Sequence, residues 1–148
     1  MKVTVLMVVY NGEKYLVECV NSIINQTFSD FELLIIDDGS TDNSLGIIQD
    51  FKDWRVRVVR NKHDYIGSLN LGLKESRGEY IARMDVDDIM ERYRLEEQIA
   101  ILDAYPEVAA CMCWAKTFGL VEKREPATAR GCLREERHDI RYRSCRNR

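Results

Sequence analysis

Asp85-Val86-Asp87-Asp88 places three carboxylates within four residues. At neutral pH they repel one another, and a hydrophobic core gains nothing from burying them. Such a group can hold a hard cation: Mg²⁺ or Mn²⁺ binds through one or two carboxylates and leaves the rest of its shell to water and substrate phosphates. The run before it, Glu79-Tyr80-Ile81-Ala82-Arg83-Met84, reads as a strand. An Asp-x-Asp at the carboxyl end of a strand points to metal-assisted handling of a phosphorylated ligand. The competing reading is an acidic loop that opens the next helix, where aspartate is favoured. The tetrad alone divides evenly between the two.

Other residues supply parts of the same chemistry. Tyr10 offers a ring on which a nucleobase can stack, a contact worth ~1–3 kcal/mol in base-binding sites; a tyrosine that caps the core at a strand end is an equal alternative. In Asp37-Asp38-Gly39-Ser40-Thr41-Asp42, Asp38 can accept the imino hydrogen of a uracil or bond a ribose hydroxyl. Gly39 lets the backbone turn sharply beside it. Against this stands a plain turn followed by a helix cap from Thr41 or Asp42. Neither G-x-G-x-x-G nor G-x-x-x-x-G-K-[ST] occurs in the chain, which speaks against dinucleotide-binding and P-loop sites.

The elements that must position these residues follow from periodicity. Lys2–Val9, Phe31–Ile36, Arg55–Arg60, Glu79–Met84 and Val108–Trp114 are apolar, β-branched runs that predict strands. The flanking charges of Arg55–Arg60 place it at or near a sheet edge. Between the strands, apolar residues recur at helical spacing. Tyr15, Leu16, Cys19, Val20, Ile23 and Ile24 mark a helix over Gly12–Gln26, and Leu45, Ile48 and Phe51 mark one over Asp42–Lys52. Ile66, Leu69 and Leu73 are the predicted inward face of a helix over Ile66–Arg77, with Gly78 as its stop. Leu95, Ile99 and Leu102 belong to a helix over Glu91–Ala104, and Asp88 would cap it or support the metal ligands from behind rather than bind the ion itself. Strands alternating with helices predict an α/β fold: a mostly parallel central sheet covered by helices on both faces. Ligands of open sheets of this kind bind outside the carboxyl ends of the strands. Tyr10-Asn11, Asp37-Asp38-Gly39 and the acidic tetrad would all gather there.

Composition sets the outer bounds. The chain has 148 residues, 45 % hydrophobic and 32 % charged, which suits one soluble domain. No apolar run is long enough to span a bilayer, and no signal peptide is visible. Five cysteines, Cys19, Cys111, Cys113, Cys132 and Cys145, are odd in number and lack C-x-x-C spacing. They read as free thiols in a reducing cytoplasm rather than zinc ligands or disulfides. Residues 121–148 hold nine Lys/Arg against five Asp/Glu. With little aromatic content and no apolar face, this tail reads as solvated and poorly ordered, not as a nucleic-acid binder. Contact with an anionic membrane surface at the cytoplasmic face stays open.

Three segments carry a family resemblance. Val9-Tyr10-Asn11-Gly12-Glu13-Lys14-Tyr15-Leu16 with Ser22-Ile23-Ile24-Asn25-Gln26-Thr27-Phe28, then Phe31 to Asp42, then Gly78 to Asp88, resemble family 2 glycosyltransferases of the GT-A fold. The resemblance covers residues 2–119, in the family's order and spacing. It implies an inverting transfer of a sugar from a nucleotide diphosphate, UDP by default, to an acceptor hydroxyl of a glycan, lipid or protein, as in polysaccharide biosynthesis. By position, Tyr10 stacks on the base, Asp38 recognises it and the backbone near Val8 lines the pocket. Asp85 lies near the ribose or the metal, and Asp87 is the direct ligand of Mg²⁺ or Mn²⁺. Lys62 and His63 stand where a basic side chain can approach the phosphates, although a solvated loop is the simpler reading.

The chain departs from the family with Val8 and Arg92 where proline is common and Val86 where alanine is. A larger departure concerns the general base, a carboxylate that the family usually draws from beyond residue 120. Residues 122–148 do not resemble that half, and no base is assigned. The expected organisation is therefore a donor-binding domain over 1–120, truncated relative to the full fold, and an atypical tail over 121–148. The alternative function is a nucleotide-sugar-binding module without transfer activity. A nucleotidyltransferase is disfavoured because no glycine- and arginine-rich loop follows the first strand. An open sheet edge after Val108–Trp114 would allow pairing with a second copy of the chain.

Overall fold

A computed structural model of the chain describes residues 1–113, 115 and 116. Strands and helices alternate through them: β1 (Val3–Val9), α1 (Glu13–Ile24), β2 (Phe31–Asp37), α2 (Ser44–Asp50), β3 (Val56–Arg60), α3 (Tyr65–Glu75), β4 (Tyr80–Met84) and α4 (Arg94–Ala104). Among the described residues the strands form one sheet in the order β3-β2-β1-β4, with every pairing parallel. Parallel neighbours need crossover helices, and the alternation in sequence supplies them.

The two central strands carry near-continuous apolar runs because both of their faces are covered. On one face Leu16, Val20 and Ile23 of α1, Ile48 of α2, and Leu95 and Ile99 of α4 pack over Val5, Met7, Leu33 and Ile35. On the other, Leu6, Leu34 and Ile36 lie under Leu71 of α3. Each of these large side chains contributes ~1.5–3 kcal/mol when fully buried. β3 is an edge strand, half-buried at Val56, Val58 and Val59, as its flanking arginines predicted.

Three expectations are corrected. Ile66 and Leu73 do not face inward: they are 64 % and 52 % exposed, while Ser68 and Gly72 are the buried residues of α3. A Cβ on Gly72 would collide with the Leu6 side chain, so the helix rides too close to the sheet for branched residues on that face. The strand expected over Val108–Trp114 is absent from residues 108–113, and Trp114 lies outside the described residues. An apolar run becomes a strand only by pairing, and this one joins neither edge of the sheet, leaving Ala109, Ala110 and Met112 exposed. The third correction concerns Asp88. α4 begins at Arg94 after a Tyr93 cap position without a side-chain hydrogen bond, so Asp88 lies too far upstream to cap it. The arginine-rich tail expected over 121–148 lies outside the described residues.

Candidate functional site

The register of the sheet brings the three acidic or aromatic strand ends to one edge. Val9 pairs with Asp37 and Met7 with Met84, so Tyr10 stands beside Asp38, and Asp85 follows level with Val8. The β1–β2 ladder runs one residue past β2, with the Asp38 N–H donating to the Val9 carbonyl at 2.8 Å. Val86 packs against the core, and a Cβ on Gly12 would lie 2.8 Å from its Cγ2. The tetrad is thereby seated against the β1–α1 turn.

The β1–α1 and β2–α2 loops interlock. Asn11 adopts φ 52°, a left-handed conformation that asparagine tolerates better than most side chains. Its Oδ1 accepts the Thr41 N–H at 2.8 Å. Asp42 serves the first turns of two helices, accepting the Glu13 N–H at 3.1 Å and the Ser44 N–H at 3.0 Å. Ser44 Oγ accepts the Gly12 N–H at 2.9 Å, and Glu13 accepts the Asn43 N–H at 2.9 Å. These bonds satisfy amides that helix starts leave unpaired and lock one loop to the other. The cap expected from Thr41 or Asp42 is not formed: the cap positions are Gly12 and Asn43, neither with a side-chain cap bond, and Asp42 holds the Ser44 amide from one residue before the α2 cap.

Asp38 is 1 % exposed. Its Oδ1 accepts the Asp64 N–H at 2.9 Å and the Ser68 hydroxyl, while Oδ2 lies 3.2 Å from His63 Nδ1. Burial alone would raise its pKa, but the Ser68 hydroxyl, the Asp64 amide and His63 hold it below the ordinary carboxylate value. It is a fixed anion at a strand end. Gly39 next to it has φ 78°, a conformation that costs glycine nothing. Asp64 caps α3 by accepting the Gly67 N–H at 3.0 Å, which fixes the helix start that presents Ser68. Tyr10 is 45 % exposed and does not cap the core. Its ring stacks on His63 with centroids 4.0 Å apart.

Asp37 differs from its neighbour. It is fully buried, and its Oδ1 accepts the Ser40 N–H at 3.1 Å. Its Oδ2 lies 3.4 Å from Arg60 Nε but makes no hydrogen bond. The distance allows attraction, while the angle is too poor for a bond, so this oxygen remains under-satisfied.

At the end of β4, Arg83 donates to Asp85 Oδ1 at 2.6 Å and to the Tyr65 hydroxyl at 2.9 Å. Asp87 is exposed, and no hydrogen bond or ion pair engages its side chain among the described residues. Among the described residues, no three His, Cys, Asp or Glu side chains converge to hold an ion unaided. The donor set nevertheless fits Mg²⁺ or Mn²⁺ completed by substrate phosphates, since such ions take only one or two protein carboxylates. Behind the tetrad, burial and the charges of Asp88, Asp87 and Asp85 push the Cys19 thiol up to about 12. Cys19 is therefore a buried thiol, 3.5 Å from the Asp85 carbonyl, and not a nucleophile.

The structure thus brings Tyr10 and Asp38 together, sets Val8 beside them on β1, and places Asp85 and Asp87 on the neighbouring strand end. Sequence reasoning missed Ser68, brought Asn11 to the site without its loop-locking role, and left His63 in a solvated loop. Asn11 had a legible signal, an asparagine between a strand and a helix. Ser68 had none, because its partner is 30 residues away in the chain.

A family model, glycosyl transferase family 2, matches residues 4–147. The chain belongs to that family. It is 38 % identical over 112 residues to an uncharacterized glycosyltransferase of Haemophilus influenzae, covering 73 % of this chain and 35 % of the relative. The crystal structure of S. aureus TarS 1-349 in complex with UDP-GlcNAc superposes with a TM-score of 0.67 at 30 % identity, over 72 % of this chain and 32 % of that one. A mannosyltransferase from Pyrobaculum calidifontis, in complex with GDP-Man and Mn²⁺, has a TM-score of 0.63 at 23 % identity over 68 % of this chain and 32 % of its own; that likeness speaks for the fold alone. The chain therefore spans about a third of the length of these proteins and shows the amino-terminal portion of the GT-A architecture.

Proposed function

We propose that the chain is the donor-binding portion of a glycosyltransferase that takes a sugar from a nucleotide diphosphate, with UDP as the nucleotide. The observation that carries this reading is the pairing of a fixed, buried Asp38 with an exposed Tyr10 ring beside it, one strand from an unengaged Asp87. Tyr10 would supply the stacking face, Asp38 an acceptor for the base or ribose, and the Val8 backbone the floor of the pocket. Asp87, with Asp85 beside it, would hold Mg²⁺ or Mn²⁺ against the diphosphate. When bound, such an ion neutralises charge on the departing nucleoside diphosphate. TarS, similar in fold, supports the donor class because its 1-349 fragment is seen with UDP-GlcNAc.

Transfer with inversion needs a base that takes the acceptor proton as the hydroxyl attacks. No described residue is placed for that role, so the reading extends to donor binding by this chain and to catalysis only with the rest of the fold. Among the described residues no helix is long and apolar enough to cross a membrane, and Cys19, Cys111 and Cys113 are free thiols. The acceptor would be a glycan, lipid or protein, and the free thiols fit a reducing compartment.

Calorimetric titration of UDP with Mn²⁺ tests the reading. The wild-type chain should bind UDP only with the metal, and Asp87→Ala should lose that binding by at least tenfold while keeping its circular dichroism spectrum. Metal-independent or absent UDP binding by the wild type overturns the donor reading. Full affinity in Asp87→Ala means the ion sits elsewhere. Donor hydrolysis measured in parallel separates an active transferase from a module that only binds.

A further inference from the structure

His63 makes both of the contacts that a nucleobase would make. Its imidazole lies on Tyr10 with centroids 4.0 Å apart and planes 27° from parallel. A base sandwiched between the two rings would need about twice that spacing, so no slot exists between them. The same ring sets Nδ1 3.2 Å from Asp38 Oδ2 and 3.2 Å from the Asp38 carbonyl. Oδ2 is the carboxylate oxygen that Ser68 and Asp64 leave free, since both donate to Oδ1. One side chain therefore covers the stacking face and the open acceptor together.

The backbone beneath it is closely packed, for a Cβ on Gly39 would lie 3.2 Å from His63 N. The side chain itself is 62 % exposed and owes nothing to the core. Outward rotation would break only the Tyr10 stack and the Asp38 contacts.

On the donor reading above, we propose that His63 is an internal surrogate for the nucleobase: its imidazole occupies the Tyr10–Asp38 position in the free chain, and the incoming base displaces it. A pyrimidine such as uracil could replace both contacts, laying a flat π face on Tyr10 and bringing a ring N–H to the Asp38 oxygens that His63 Nδ1 lies beside. Donor affinity is then the difference between two ligands of one site, one of them covalently tethered. A tethered competitor lowers apparent affinity by the fraction of time that it holds the site.

Removing the competitor should tighten binding at the base end only. His63→Ala is expected to bind UDP, UMP and uridine about fivefold more tightly than wild type in calorimetry, as loss of one ring–ring contact predicts. Pyrophosphate, which has no base, should bind both proteins equally. In NMR spectra of the free wild-type chain, the His63 ring protons should carry an upfield ring-current shift from Tyr10 that saturating UDP removes. Unchanged or weaker uridine binding in a folded His63→Ala, or a ring-current shift that persists in the UDP complex, overturns the proposal. If wild type binds no UDP, the donor reading fails and takes this one with it; UDP binding without the His63→Ala gain sinks this inference alone.

Discussion

The two ends of β2 carry buried carboxylates that are treated in opposite ways. At the amino end, Glu32 is 3 % exposed. Its Oε1 accepts the Thr4 hydroxyl at 2.8 Å and the Arg77 N–H at 2.9 Å, and its Oε2 accepts Arg57 Nε at 3.2 Å. Arg57 reaches on to the Glu75 carbonyl, so β1, β2, β3 and the end of α3 are fastened at one point. Every oxygen there is matched by a donor of the chain. At the carboxyl end, Asp37 keeps one oxygen without a hydrogen bond and Asp38 gives one oxygen to an exposed histidine, while on the same edge of the sheet Asp87, after β4, faces solvent. A buried network fully satisfied from within serves stability, whereas one left partly open retains capacity for something from outside.

That contrast can be broken most forcefully at Glu32. Glu32→Ala removes the acceptor of the Thr4 hydroxyl, one of two acceptors of the Arg77 amide and one of two carboxylate partners of Arg57, and should lower the unfolding free energy by about 2–3 kcal/mol. Urea denaturation would measure the loss. UDP affinity of the folded protein should stay within a factor of two, and a parallel fall in affinity would show that the two ends are coupled. Asp38→Ala should act on both properties. Loss of the acceptor for Ser68 and Asp64 should cost about 1–3 kcal/mol of stability, and the preference for UDP over GDP in competition titrations should narrow. If selectivity is untouched, Asp38 only anchors α3.

The smallest effect is read in acid. For Glu32, burial opposes ionisation, but the Thr4 hydroxyl, the Arg77 amide and the Arg57 guanidinium hold its pKa below the ordinary value. Asp38 is depressed in the same direction. A depressed carboxylate contributes stability that is fully present above its unfolded pKa and is lost as pH falls through the lower folded value. The urea midpoint should therefore be insensitive to these groups near neutrality and fall below about pH 4. A Glu32→Gln, Asp38→Asn double variant should show a shallower acid limb. An acid limb of unchanged steepness would assign acid sensitivity to other carboxylates.

Much of this layout was legible in the chain because it depends on local periodicity. Runs such as Phe31–Ile36 can only be strands covered on both faces, and once strands alternate with helices their carboxyl ends must share an edge. Tyr10, Asp38 and the tetrad followed from that reasoning together with the family resemblance. Contacts between distant residues were not legible. The Ser68–Asp38 bond and the His63–Tyr10 stack depend on how α3 and the β3–α3 loop dock, and no spacing rule encodes docking. The inward face of α3 misled for a related reason: Ile66 and Leu73 have helical spacing and apolar character, but contact distance selected Ser68 and Gly72 instead. Val108–Trp114 has strand composition, and composition cannot supply a pairing partner.

Ser68 and Gly72 lie one turn apart on the buried face of α3. The first reaches the Asp38 carboxylate, and the second sets how deeply the helix rests on Leu6. Helix depth and hydroxyl reach are thus a single mechanical coordinate, and Leu6, deep in the sheet, is one of its stops. On the proposed donor reading, base preference would then have a handle inside the protein: a change of volume at Leu6 would shift the hydroxyl that steadies Asp38 without altering the proposed base-contacting side chains.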